Sequence, residues 1–149
     1  MQPITGDKLI ELIPQKPPFV LVSSLNEVSE NKCKTTFVFD EKHVLCDNGQ
    51  LTPAGIMENI AQTAAAKMGY ECALQQKKIP IGFIGDVRDF SFTRLPTIGE
   101  EITTELIVEN KIFDVEIVIG NVWIKEEKIA NCKMKIFVES EKLKTDQTV

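Results

Sequence analysis

Apolar residues recur along this chain with two different periods. Met57, Ile60, Ala61, Ala64, Ala65 and Met68 are spaced as one face of an α-helix. Thr52-Pro53 marks its start. Threonine caps free backbone N–H groups, and proline suits a first turn whose N–H has no partner anyway. The spacing predicts a helix of about 18 residues, roughly 27 Å long at ~1.5 Å per residue. The run Ala64-Ala65-Ala66 is small enough for a sheet to approach the helix axis closely.

Beyond Lys78 the period falls to two, which predicts strands. Ile102, Thr104, Leu106 and Val108 alternate with Thr103, Glu105 and Glu109. Phe113, Val115, Ile117, Ile119 and Trp123 follow, with Asp114 and Glu116 between them. Ala130, Cys132, Met134, Ile136 and Val138 then alternate with Asn131, Lys133 and Lys135. Short joints at Asn110-Lys111 and Glu126-Glu127 predict an antiparallel meander. A strand before it, from Ile79 to about Thr93, carries Gly82 and Gly85 and leads to a turn at Pro96-Thr97-Ile98-Gly99.

Nearer the N-terminus, Gly6 to Ile13 reads as a short helix stopped by Pro14 and Lys16-Pro17-Pro18. Phe19 to Val28 and Lys34 to Phe39 read as strands parted by Ser29-Glu30-Asn31, and Asp40 to Thr52 as a loop. A long apolar helix and a curved antiparallel sheet each need the other to bury a face. The expected fold is therefore α+β, a sheet wrapped around a central helix. It forms one domain over residues 1–149, with a core at about 8–138 and a frayed polar tail, Lys142 to Val149.

At 149 residues and 43% hydrophobic, the chain has enough apolar side chains for one sizeable core. Its net charge of −5 argues against nucleic acid or an anionic membrane as the main partner, since both want a basic footprint. Apolar stretches such as Phe19-Val20-Leu21-Val22 fall far short of the ~18 residues that span a bilayer. The first residues lack an export signal, so a cytoplasmic location is expected. Four cysteines form no CxxC pair and, with one histidine, no ordinary zinc set; free structural thiols are expected, Cys46 included. Any histidine chemistry must use His43 or a histidine from another chain.

Three strings resemble a known family. Leu12-Ile13-Pro14-Gln15-Lys16-Pro17-Pro18-Phe19-Val20-Leu21-Val22 is similar to the opening strand of the 3-hydroxyacyl-carrier-protein dehydratases, "LPHRxPFLLVD". Glu58-Asn59-Ile60-Ala61-Gln62 resembles their helix signature, and Asp89 to Glu100 resembles the strand and turn that follow. The run Pro53 to Ala66 is closer still to the branch associated with aryl-polyene pathways. The resemblance implies a hotdog fold and dehydration of 3-hydroxyacyl thioesters to trans-2-enoyl thioesters in fatty-acid or polyene-type biosynthesis. The substrate would be linked to acyl carrier protein or coenzyme A. No cofactor and no metal are implied. A homodimer is expected, with dimers of dimers or a hetero-oligomer with a paralogue as further assemblies. The alternatives are a catalytically incomplete subunit paired with an active dehydratase, and a hotdog acyl thioesterase.

Within that resemblance Glu58 is the catalytic carboxyl group and His43 the candidate base. The family's GHFPG loop is absent, because His43 is followed by Val44-Leu45-Cys46. Gly55 is the candidate carbonyl-binding amide, and Gln62 a candidate substrate-binding side chain. Met57, Phe83, Phe90 and Phe92 belong either to the core or to an acyl tunnel. Lys77, Lys78, Arg88 and Arg94 form the positive cluster that would face an acidic carrier protein, or else a solvated surface.

Overall fold

The elements run β1 (Ile4–Thr5), α1 (Gly6–Ile10), β2 (Ser24–Val28), β3 (Lys32–Phe37), β4 (Cys46–Asp47), β5 (Gln50–Leu51), α2 (Pro53–Leu74), β6 (Gly82–Phe92), β7 (Ile102–Ile112), β8 (Val115–Ile124) and β9 (Glu127–Val138). This computed structural model describes residues 1–139; the tail expected to fray lies outside the described residues. Seven strands make one antiparallel sheet in the order β1-β2-β3-β7-β8-β9-β6, and β4-β5 is a separate small hairpin. The sheet wraps α2, as the expected α+β hotdog arrangement requires.

The helix begins where the Thr-Pro pair says it should. Thr52 Oγ1 accepts the Gly55 N–H at 3.1 Å, and Pro53 occupies the first turn. The helix then runs 22 residues, a turn longer than its apolar spacing implies. Two glycines let it come close to its surroundings. A Cβ on Gly120 of β8 would lie 2.4 Å from Ile60 Cγ2, so the helix rests directly on that strand. A Cβ on Gly69 would lie 1.9 Å from the Leu12 carbonyl oxygen, so the far half of α2 touches backbone.

Several local expectations are corrected. β8 buries Val118, Gly120, Val122 and Ile124, not the set led by Ile117, Ile119 and Trp123. Both faces of this strand are rich in apolar residues, so alternation leaves its phase open, and the fit of Gly120 under Ile60 decides it. The β7–β8 turn falls at Phe113-Asp114 rather than Asn110-Lys111, which leaves Phe113 94% exposed at the tip. A bulge between Val108 and Asn110 carries β7 past the expected joint. The β8–β9 turn is Lys125-Glu126, one residue early. Within the expected loop 40–52, Asn48-Gly49 turns the β4–β5 hairpin with positive φ at both residues (50° and 77°). Asn-Gly is the pair that such a two-residue turn favours.

The largest difference concerns residues 19–23, which are not strand; β2 starts only at Ser24. The Ser23 N–H already bonds the Thr36 carbonyl of β3, but the carbonyls of residues 19–21 and the Leu21 N–H find side chains instead of a strand, and those side chains belong to the candidate site.

Candidate active site

α2 buries a polar stripe against the segment 19–21 and the sheet. Gln62 Oε1 accepts the Leu21 N–H at 2.7 Å, which turns its amide nitrogen toward the Phe19 carbonyl (2.8 Å) and Glu58 Oε1 (3.0 Å). Asn59 Nδ2 donates to the Leu21 carbonyl at 2.7 Å, and Asn59 Oδ1 accepts from the Thr104 hydroxyl. The Thr63 hydroxyl bonds the Asn59 carbonyl and meets the Thr35 hydroxyl at 2.7 Å. Asn59, Gln62 and Thr63 are fully buried. Buried polar groups persist only when partnered, and here Leu21, Phe19, Thr35 and Thr104 supply partners from distant parts of the chain beside the local bonds within α2.

Glu58 stands at the edge of this stripe and opens on a cavity of about 250 Å³. Ala61, Ala64, Ala65 and Met68 of α2 line it, opposite Ile79, Pro80, Gly82, Phe83, Ile84 and Ile136, with Pro14 and Gln15 beside the carboxyl end. This corrects the expected role of the apolar helix face. Ala61, Ala65 and Met68 are only half-buried and form a cavity wall, whereas Asn59, Gln62, Thr63 and Lys67 are among the residues that pack inward. The cavity is apolar except near Glu58 and Gln15. Of the residues left between core and tunnel, Phe83 lines it; Met57 and Phe90 pack against the core, and Phe92 is exposed.

His43 is not among the lining residues of that cavity. Its Nε2–H donates to the Val20 carbonyl at 2.9 Å and its Nδ1 accepts the Leu45 N–H at 3.1 Å. Phe37 packs edge-on against the ring, with centroids 5.5 Å apart. Both nitrogens are thus engaged by backbone, and a neutral imidazole has only the one acceptor nitrogen. The ring ties the loop after β3 to the same 19–21 segment that Gln62 and Asn59 hold.

Gly55 sits under Leu51, whose Cδ1 would lie 2.6 Å from an added Cβ. Its N–H is taken by the Thr52 cap. Pro53 has no N–H, so the open donor of the first turn is Ala54, not the expected Gly55.

The positive cluster is divided. Arg94 forms a two-pronged pair with Glu100 (3.0 and 3.1 Å) and also meets Glu127, and Arg88 pairs with Asp86. Lys77 and Lys78 line a separate cavity past the C-terminal end of α2. The four cysteines are free. Burial pushes the Cys33 thiol up to about 12 and the Cys132 thiol up to about 11, which leaves them protonated and unreactive near neutrality.

A long helix held in a curved antiparallel sheet defines a hotdog fold, and here a carboxylate on the second turn of that helix lines an apolar cavity. The ApeP-like family (ApeP dehydratase) matches residues 8–147, and the chain belongs to that family. No curated protein is significantly similar in sequence. Among solved structures, the dehydratase heterocomplex ApeI:P from Xenorhabdus doucetiae is similar with a TM-score of 0.82 at 14% identity, over 95% of this chain and 97% of that one. A sigma28-regulated virulence protein from Campylobacter jejuni follows with a TM-score of 0.69 at 17% identity, over 89% and 88% of the two chains. A hypothetical thioesterase from Streptococcus pneumoniae, solved with coenzyme A, reaches 0.62 at 8% identity, over 78% and 84%. Identities this low establish the shared fold. Among the described residues, no helix is long and apolar enough to cross a membrane.

Proposed function

We propose that this chain takes part in the dehydration of 3-hydroxyacyl thioesters, with Glu58 as its acid–base group. The carrying observation is the Glu58 carboxylate, fixed by Gln62 at the one polar end of an apolar cavity. In the forward step a base removes the proton from the carbon beside the thioester carbonyl. The electron pair forms the double bond, and Glu58, entering the step as the carboxylic acid, gives its proton to the departing hydroxyl, which leaves as water and leaves Glu58 as the carboxylate. The Ala54 N–H at the positive end of α2 steadies the carbonyl oxygen as charge builds on it. An acyl carrier protein or coenzyme A carries the thioester, a reading supported by the coenzyme A found with a hotdog neighbour.

The bonding of His43 favours a second form of the same reading. With both ring nitrogens committed to backbone, the base comes from another chain, and this subunit contributes Glu58 to a shared site. Similarity to a dehydratase heterocomplex supports such pairing. The outermost strand β6 supports assembly as well, since an edge unpaired among the described residues and bearing exposed Ile84, Val87 and Phe92 is a template for a further strand. A homodimer or a mixed dimer would cover it.

The test is hydration of a crotonyl thioester by the purified chain, alone and mixed with a dehydratase paralogue, with free thiol release followed in parallel. Hydration by the chain alone supports a self-sufficient enzyme, and hydration only in the mixture supports the shared site. Thiol release without hydration would replace both with a thioesterase.

A further inference from the structure

One face of α2 carries Glu58, Ala61, Ala65, Met68, Cys72 and Gln75, in alternating steps of three and four residues. Cavities follow this face in succession. The first, about 250 Å³, runs from Glu58 to Met68; the second, about 230 Å³, continues from Met68 to Gln75. A third, about 820 Å³, opens past Cys72 at Gln76 and Lys77. Met68 and Pro80 wall both the first and the second, and Ile79 and Pro80 both the first and the third. The three therefore lie end to end along one trench, with Met68 and Pro80 as the shared wall, or neck, between the first and the second.

The chemistry changes at that neck. Before it the walls are alanine, isoleucine, proline and Phe83, apart from Glu58 and Gln15. After it Glu71, Lys77, Lys111, Asp114 and Glu116 stand beside Phe113 and Val138. A hydrocarbon gains free energy only while it leaves water for apolar surroundings. A methylene before the neck gains it, and one beyond meets charged groups and solvent.

We propose that Met68, together with Pro80, sets the length of the straight acyl chain this site accepts. The proposal rests on the reading of Glu58 as the thioester end of the trench. Ten helical residues from Glu58 to Met68 rise about 15 Å at ~1.5 Å each. An extended chain advances about 1.2 Å per bond, since three backbone bonds cover ~3.3–3.6 Å. The apolar section therefore holds about 12 bonds of an extended chain.

Saturated acyl-pantetheine thioesters from butyryl to palmitoyl provide the probe, with affinity read by displacement of a fluorescent polyene fatty acid. For the wild type, affinity should rise about fourfold per methylene and level off once the chain passes the neck. Met68→Ala should move the break to longer chains, Met68→Trp to shorter ones, and Met68→Leu should leave it in place. Butyryl affinity should stay within about twofold throughout. Should the tryptophan variant not fold, the alanine variant against wild type decides alone. A break at the same length in Met68→Ala and wild type, or no break in wild type, would overturn the neck. Crotonyl hydration is scored separately. Turnover with an unmoved break leaves the Glu58 reading standing without the neck, and a moved break without turnover makes the trench an acyl-binding site.

Discussion

Gln62 holds Glu58 by one amide N–H at 3.0 Å, while its own oxygen is fixed by the Leu21 N–H at 2.7 Å. The backbone of residues 19–21 therefore determines which way the Gln62 amide faces, and the amide in turn orients the carboxylate. Gln62→Leu should strip the Leu21 N–H and the Phe19 carbonyl of their partners. At ~1–3 kcal/mol for each buried group left unpaired, the loss should be about 2–4 kcal/mol by chemical denaturation. Gln62 is in this sense a positioning residue, and its loss should raise KM less than it lowers kcat.

Glu58→Gln keeps size and hydrogen bonding but removes proton exchange. Turnover in crotonyl hydration should fall ~10²–10⁴-fold, with circular dichroism unchanged and acyl-thioester binding retained. Rates within about twofold of wild type would take Glu58 out of the mechanism.

His43→Ala removes two bonds to backbone and an aromatic edge contact. A stability loss of about 1–3 kcal/mol is expected. In a mixed complex with an active paralogue, hydration should survive within about twofold once stability is controlled. A loss of several orders of magnitude in the homo-oligomer would reinstate His43 as the base.

Glu100 makes a pH prediction. Arg94 and then Thr97 hold its carboxyl down to about 2, below the ordinary 4.5. A carboxyl depressed in the folded state contributes stability above its unfolded pKa, and that contribution is lost as pH falls from about 4.5 toward 2. Glu100→Gln should thus flatten the stability profile across that window. At pH 7 it should cost only about 1 kcal/mol, because the pair is partly solvent-screened. Melting temperatures at several pH values would check this.

Lys67 is a buried lysine on α2 whose partner is Glu71, one turn on. Glu71→Ala leaves an ammonium with no counterion and should destabilise by about 1–3 kcal/mol, reduced by the partial exposure of Glu71. Lys67→Met replaces the charge with an apolar chain of similar length. It should be neutral or stabilising, and denaturant midpoints of the two variants would separate these outcomes.

The sequence carried the long helix and the meander because each had a clear period and, for α2, a Thr-Pro start. It failed wherever one pattern served two structures. The run Phe19 to Leu21 has strand-like composition, yet its backbone is satisfied by Gln62, Asn59 and His43, residues that no local window includes. The family-like helix string singles out Glu58 as a candidate, and the fold sets its side chain on the cavity. The engagement of the Gly55 N–H by Thr52 and of both His43 nitrogens was not legible. Those depend on which hydrogen-bond partners the fold delivers, and spacing along the chain does not record them. The place of Met68 on the apolar face is legible but its role is not, since an alanine-methionine stripe looks alike whether a sheet or a cavity lies against it.

Leu21 and Gln62 are 41 residues apart, and Asn59 bonds Leu21 across 38. The length-dependent entropy of closing a loop of that size is about 3 kcal/mol, too much for any of these bonds to form ahead of the rest of the fold. The strands of the meander, joined by tight turns, carry no such cost. A partly folded chain can therefore hold its meander and still have no site. The Leu21 amide should be among the slowest to exchange its hydrogen with solvent, because freeing it means lifting the 19–21 segment off α2.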